Sequence, residues 1–374
     1  MYYLLDNELN FITPIEGYKS MIWTTRHYDA GDFELQIEAS EKWLHLFGRN
    51  YFIVRDDDNF KQAMIIENIK LVTDVEDGNY IFVTGRDLKS ILARRVIFNK
   101  YYDTNTELRI RNLVNGNCIT TNYLSRIIPN LILAELKNYT AQVDSVQINY
   151  GENLLDAVAL LCRNGQLGFD ITLKLETKQF VFDVLKCEDR SYNQTKNPYV
   201  VFSDEFENLL RTETTFNYID PYNSLVAYDR ITTDVSGFDR VEKYVELQEY
   251  QENVGLDFDT WNDRNTPYLV YNYNDRKYAW ERAKNTIRPR ITKMVSAEIE
   301  TNHTWVYRKD YFVGDIVEVV NEYGIRSQPR IIEVIESEDT NGSAIVVTLE
   351  TEEDEVTLSG SDEVIEIPEE ETEV

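Results

Sequence analysis

Alternating apolar and polar positions dominate the first hundred residues. Ile22-Trp23-Thr24-Thr25-Arg26 and Phe33-Glu34-Leu35-Gln36-Ile37 read as half-buried strands of period two. The polar stretch His27-Tyr28-Asp29-Ala30-Gly31-Asp32 between them carries a glycine suited to a turn. Residues 51–54, 64–69 and 80–84 predict three more strands, separated by Asp56-Asp57-Asp58-Asn59 and by Asp74-Val75-Glu76-Asp77-Gly78-Asn79.

From Asp87 the period lengthens. Leu88, Ile91, Leu92 and Arg95 mark one helical face, and residues 107–114 predict a second helix. Asn153 is placed to cap a third, in which Leu154, Leu155, Val158, Leu161 and Cys162 recur at three- and four-residue steps until Gly165 and Gly168. A hairpin follows, with Phe169, Ile171 and Leu173 on one arm and Phe180, Phe182 and Val184 on the other. Beyond Val200 strands return, broken by a polar stretch near 250–275 and a short helix marked by Trp280, Ala283 and Ile287. The pattern predicts a mainly β, α+β chain: β-rich regions at 1–100 and 199–350 flanking an α/β insertion at 101–198. Residues 351–374 hold eleven acids, no base and few apolar positions, so a flexible acidic tail is expected there.

The two β-rich regions echo each other. Asp77-Gly78 precedes Ile81, Val83 and Thr84; Asn341-Gly342 precedes Ile345, Val347 and Thr348, each 264 residues later. Ile66-Glu67-Asn68-Ile69 matches Ile332-Glu333-Val334-Ile335 at an offset of 266. Two β-meanders with glycine turns match about this well by chance; a true repeat would place one β-module at either end of the chain. Three such chains in a ring would then present six similar modules.

Charge narrows the function. Against 66 acids stand 38 Lys and Arg, a net charge of −28, which excludes a protein built to grip nucleic acid and disfavours anionic lipid. Hydrophobic residues at 43% exclude wholesale disorder, and 374 residues suit two or three domains. The start has no signal-peptide pattern, and without an 18-residue apolar run no membrane anchor is expected. Three cysteines, Cys118, Cys162 and Cys187, fit a reducing compartment and buried thiols.

Signals for chemistry are weak. The histidines His27, His45 and His303 form no helical zinc motif, and neither a phosphate-cradling loop nor a serine-nucleophile elbow is present. A thiol nucleophile would pair Cys118 or Cys162 with His27 or His45; buried structural thiols are the commoner arrangement. Asp56-Asp57-Asp58-Asn59 and Asp339-Thr340-Asn341-Gly342 suggest calcium but miss the EF-hand template, and solvated turns explain both better. The 25 tyrosines and five tryptophans suit either a sugar-binding surface or cross-strand packing. No catalytic, cofactor or metal residues are assigned.

A series of short motifs runs in order along the chain. They are Trp23-Thr24-Thr25-Arg26 with Gly31-Asp32-Phe33-Glu34-Leu35, Asn50-Tyr51-Phe52-Ile53-Val54-Arg55-Asp56-Asp57, and Thr84-Gly85-Arg86-Asp87-Leu88. Arg126-Ile127-Ile128-Pro129-Asn130, Val201-Phe202-Ser203-Asp204-Glu205-Phe206-Glu207-Asn208-Leu209 and Asn223-Ser224-Leu225-Val226-Ala227 continue the series. Tyr311-Phe312-Val313-Gly314-Asp315-Ile316-Val317 and Arg330-Ile331-Ile332-Glu333-Val334 close it, and the set resembles a siphophage tail protein family related to the baseplate hub of tailed phages.

The resemblance implies two tube-like β-barrel or sandwich modules around the insertion. It also implies a non-enzymatic homotrimer in the virion, made in the bacterial host cytoplasm, that caps the tail tube and adapts six-fold to three-fold symmetry. Expected partners are distal tail or tube proteins above, tail-tip, fibre or lysin proteins below, the tape-measure protein, and DNA that passes without being held. An acidic inner wall would suit that passage. The competing classes are a carbohydrate-binding host-recognition protein and a tail-associated glycoside hydrolase. Relatives that continue into a lysin or fibre region differ from this chain, where only the acidic tail follows Glu350.

Overall fold

The computed structural model describes residues 1–76, 78–141, 146, 148–217, 224–233, 241–251, 265–270, 292–299, 304–340 and 342–350, with backbone alone at 58, 210 and 214–298. Asp77, Asn341, His303, the helix expected around Trp280 and the tail at 351–374 lie outside the described residues.

An N-terminal hairpin of β1 (Tyr2–Leu5) and β2 (Phe11–Ile15) precedes the five predicted strands. Those five are β3 (Tyr18–Arg26), β4 (Asp32–Glu38), β5 (Phe52–Arg55), β6 (Ala63–Asp74) and β7 (Gly78–Asp87). Between β4 and β5 lies α1 (Glu41–Leu46), capped by Ser40, whose hydroxyl accepts the Trp43 N–H at 3.3 Å.

The helix expected from Leu88 is instead a 3-10 segment, Leu88–Arg94. Five consecutive residues there, Leu88 to Leu92, are buried. A segment enclosed on all sides needs no single apolar stripe, and Arg95 closes it with an i→i−3 bond from its N–H to Leu92 O. The other two helices match the pattern: α2 (Thr106–Val114) and α3 (Leu154–Asn164), the latter with Asn153 Oδ1 accepting the Leu155 N–H at 2.9 Å and Gly165 at its C-cap. Three strands, β8 (Leu131–Leu133), β9 (Gly168–Lys174) and β10 (Gln179–Leu185), form a sheet in the order β8-β10-β9, so the predicted hairpin gains a parallel neighbour.

In the C-terminal part, β11 (Val201–Ser203), β12 (Leu209–Asn217), β13 (Ser224–Thr233), β14 (Val241–Gln251), β15 (Asn265–Val270) and β16 (Thr292–Ile299) lead to β17 (Glu318–Val320) and β18 (Arg326–Ser327). The last two strands are β19 (Arg330–Asp339) and β20 (Gly342–Glu350). Met1–Glu213 with Val295–Glu350 form one compact unit. In the segment Thr214–Met294, which belongs to the second unit, β13 pairs antiparallel with β14 and parallel with β15.

A nine-stranded sheet organises the first unit, in the order β2-β1-β5-β6-β7-β4-β3-β19-β20. It is open, with β2 and β20 at its edges; among the described residues no sheet closes into the barrel that the resemblance implied. Both faces of its middle are covered. Phe52, Val54 and Ile65 join the core of α2, α3 and β9–β10, while Ile53, Met64 and Ile66 join Trp23, Leu35 and Trp43 on the other side. A third core gathers Phe202, Tyr311, Val319, Ile331 and Val347.

The echo in the sequence is a pair of hairpins in this one sheet. Both β6–β7 and β19–β20 are antiparallel, and each carries a register shift near its base, between Ile66 and Asn68 and between Ile331 and Glu333. Their far ends are solvent-facing, with Leu71 at 48% and Val346 at 42% exposure. The second hairpin is stitched to β3, Val334 opposite Thr25 and Glu336 opposite Trp23.

Candidate functional site

His27 lies where β3, the end of α3 and the C-terminal segment meet. Its N–H donates to Ile332 O at 2.8 Å, continuing the β3–β19 ladder past Arg26. The imidazole is 4% exposed, with Nδ1 at 4.0 Å from Cys187 Sγ. Gly168 and Gly314 leave the room it needs: a Cβ on Gly314 would sit 2.3 Å from Cys187 Sγ and 2.6 Å from the imidazole. Burial holds the His27 pKa well below its usual value, reinforced by the Arg330, Lys89 and Arg163 cations.

A second set of charges fixes the turn after His27. Arg26 bridges Asp32 and Glu333, each at 2.6 Å, and donates to Ala30 O at 2.9 Å. Asp87 accepts the Gly31 N–H at 2.8 Å and the Lys89 N–H at 3.0 Å. Burial pushes its carboxyl up to about 6, against the lowering pull of Lys89. Nearby Asp170 is raised for the same reason. Asp315, 3% exposed, clamps the segment after Cys187 by accepting the Glu188 N–H at 2.9 Å and Arg190 Nε–H at 2.8 Å. Asn208 closes the loop after β11, donating to Val201 O and accepting from Ser203 N, each at 2.9 Å.

These distances place the expected thiol chemistry differently. His27 meets Cys187, not Cys118 or Cys162. Cys118 donates to Val114 O at 3.0 Å inside the π-turn after α2, and burial pushes its thiol up to about 12. Cys162 is fully buried and raised likewise. Thiols held protonated in apolar surroundings are poor nucleophiles. His45 is on α1 beside a shallow cavity lined by Ile12, Thr13, Glu41 and Lys42, with no cysteine. No sequence spacing linked residues 27 and 187; the nearest signal was the Gly314-Asp315 pair, which makes the contact sterically feasible.

The two acidic turns also have structural partners. Asp56 pairs with the N-terminal amine at 2.9 Å, and Asp57 with Arg55 at 3.1 Å and with Arg308. Arg55 and Arg308 converge on Glu336, Arg55 in a bidentate pair at 2.7 and 3.0 Å and Arg308 at 2.7 Å. Asp339 accepts the Gly342 N–H at 3.1 Å in the turn of the second hairpin. Among the described residues no group of three or more His, Cys, Asp or Glu side chains is arranged to hold a metal ion.

The motifs thus encode a scaffold, and comparison with known proteins says whose. The Siphovirus ReqiPepy6 Gp37-like protein family matches residues 1–349. The chain belongs to that family. Its fold is shared with phage tail proteins of known structure. A tail protein from Neisseria meningitidis MC58 aligns with a TM-score of 0.56 at 11% identity, over 93% of this chain and 96% of that one. The 43 kDa tail protein of prophage MuSo2 from Shewanella oneidensis gives 0.53 at 12%, over 91% and 96%. Prophage tail protein gp18 from Listeria monocytogenes EGD-e gives 0.52 at 11%, over 96% of both chains. No curated protein matches. At such identities the likeness is one of fold.

Proposed function

We propose that this chain is a structural tail-tip or baseplate hub: a homotrimer that caps the tail tube, adapts six-fold to three-fold symmetry and forms part of the DNA exit conduit. The observation that carries the reading is the pair of bulged hairpins set in one sheet that, among the described residues, is open and ends on β2 and β20. The edge strand of an open sheet is a template for pairing with another chain. Three copies closing a ring supply six hairpins of one plan, which is how a three-fold object presents six-fold contacts. Phage tail proteins that share the fold support the setting.

In this reading 1–100 and 199–350 are the two tube-like modules, joined through the β3–β19 ladder, and 101–198 is the insertion. Their inner surface is net acidic, so no lysine or arginine releases the counterions of DNA and the polymer slides past without being held. Distal tail or tube proteins sit above, tail-tip, fibre or lysin proteins below, and the tape-measure protein inside. The hub acts in the virion after synthesis in the host cytoplasm, and its work is mechanical rather than catalytic.

Solution mass by light scattering tests it. Three times 43.9 kDa, about 132 kDa, is expected. A single 43.9 kDa species at every accessible concentration, or a structure of the assembled ring with a basic lumen, overturns the proposal.

A further inference from the structure

One motif is not explained by the scaffold: Arg126-Ile127-Ile128-Pro129-Asn130, which borders a cavity of ≈ 350 Å³. The cavity floor is apolar, formed by Phe52, Ile65, Ile91 and Ile128. Arg94, Arg95 and Glu8 are its charged lining residues. Three other lining residues, Leu9, Asn50 and Asn130, hold left-handed backbone with φ of 62°, 61° and 62°. For a leucine that conformation is strained, and strain gathers at sites whose surroundings enforce it.

The arginines are poorly compensated. Arg95 is locked by backbone carbonyls, its Nε at 2.6 Å from Arg126 O and its Nη atoms reaching Arg94 O and Ile127 O at 2.9 and 3.4 Å. The carboxylate recorded near Arg94 is Glu67 at 3.9 Å, already held in a bidentate pair with Arg86 at 2.8 and 3.0 Å. Arg49 and Arg86 add to the positive field around Arg94. In a chain of net charge −28 this wall is locally cationic, with Glu67 shared between Arg86 and Arg94.

Next to it lies an exposed apolar platform. Val96, Phe98, Tyr123 and Leu124 are 44%, 46%, 52% and 83% exposed. Phe98 and Tyr123 meet edge to face at 4.9 Å, and Arg126, over the Phe98 ring at 5.4 Å, connects platform and cavity. Aromatic and arginine side chains around an apolar centre are the composition of protein interfaces.

We infer that the cavity and platform form a docking site for a peptide segment of a partner protein, one that carries a carboxylate beside an apolar side chain. The carboxylate meets Arg94 and Arg95 in the cavity, and the apolar side chains lie on Phe98 and Leu124. Glu8, also in the lining, repels a second acid and so favours a single carboxylate. The inference goes beyond the ring reading: peptide binding and solution mass are read in separate experiments, so either can fail without the other.

The test uses the full chain and two capped peptides, acetyl-Leu-Phe-Glu-Phe-Leu-amide and the same peptide with glutamine for glutamate. The glutamate peptide is expected to shift the Arg94 and Arg95 side-chain N–H signals in NMR spectra. Glutamine in the peptide, or Arg94→Gln in the protein, weakens binding roughly tenfold, as loss of a charge-assisted pair should. Arg94 is 41% exposed, so its variant is expected to fold, which circular dichroism checks. Equal binding of both peptides, no binding of either, or occupation of the cavity by dodecanoate without peptide binding overturns the inference.

Discussion

Asp87 and Gly31 hold each other by two bonds: the Gly31 N–H donates to Asp87 Oδ2 at 2.8 Å, and the Asp87 N–H donates to Gly31 O at 2.9 Å. The pair ties the end of β7 to the turn between β3 and β4, beside His27. Both titratable groups at this turn are displaced, and in opposite senses for stability. Asp87 titrates near 6 when folded, above an unfolded value of about 3.9. Its contribution is therefore fully present below that unfolded value and is lost as pH rises through 6. His27, held well below its usual value, contributes stability above about 6.5 that is lost as pH falls.

Separating the two requires variants. Asp87→Asn removes the gain on acidification, worth about 2 kcal/mol once the 16% of side chain still facing solvent is discounted. The variant should lose stability more steeply than the parent between about pH 7 and pH 5. His27→Gln should lose it less steeply. Urea midpoints measured across that range decide the matter, and three parallel profiles would rule out the assignment.

Glycine at 314 is required by space, and at 151 only by backbone angle. Gly314 has φ +98° and a Cβ there would overlap both Cys187 and His27; Gly151 has φ +85° with nothing within 4 Å. Gly151→Ala is expected to cost about 1 kcal/mol, the left-handed penalty alone. Gly314→Ala adds overpacking and should cost about 3 kcal/mol or more. Thermal unfolding of the two variants checks the ratio; equal losses would mean that the His27–Cys187 contact readily yields.

Local signals were legible in the sequence and distant ones were not. Strands β3 to β7, the Asn153 cap and the β9–β10 hairpin each depend on periodicity or a turn within a few residues. The first strand escaped because Tyr2, Leu4 and Leu5 are all buried, Leu5 in one core and the other two in another, so no alternation marks it. Its partner β2 carries Pro14, acceptable only because β2 is an edge. The β3–β19 ladder and the parallel β11–β17 pairing join segments far apart in the chain, and no pattern within either segment names its mate. The same holds at the candidate site: Cys187 and Asp57 gain their meaning from His27 and Arg308, which only the fold brings near.

The network at Glu336 should be the costliest ion cluster to break. Its carboxylate faces two guanidinium groups, Arg55 and Arg308, whose side chains are 15% and 22% exposed, and Arg55 also stacks 5.3 Å over Trp23. Glu336→Gln leaves two half-buried cations sharing Asp57, at an expected cost of about 2–3 kcal/mol. The Glu67–Arg86 pair has equally short bonds but side chains 29% and 45% exposed, so Glu67→Gln should cost under about 1 kcal/mol. The two glutamates occupy the two similar hairpins, β6 and β19, which makes the comparison one of burial rather than of fold. Glu336 links its hairpin to Arg55 of β5, 281 residues away in sequence, whereas β6 already pairs with β5 along its backbone. Loss of that link should also raise hydrogen exchange selectively in β19–β20, whereas the Glu67 variant leaves β6–β7 protected. Equal stability losses in the two variants, or exchange unchanged in both, would show that the sheet holds its second hairpin by backbone pairing alone.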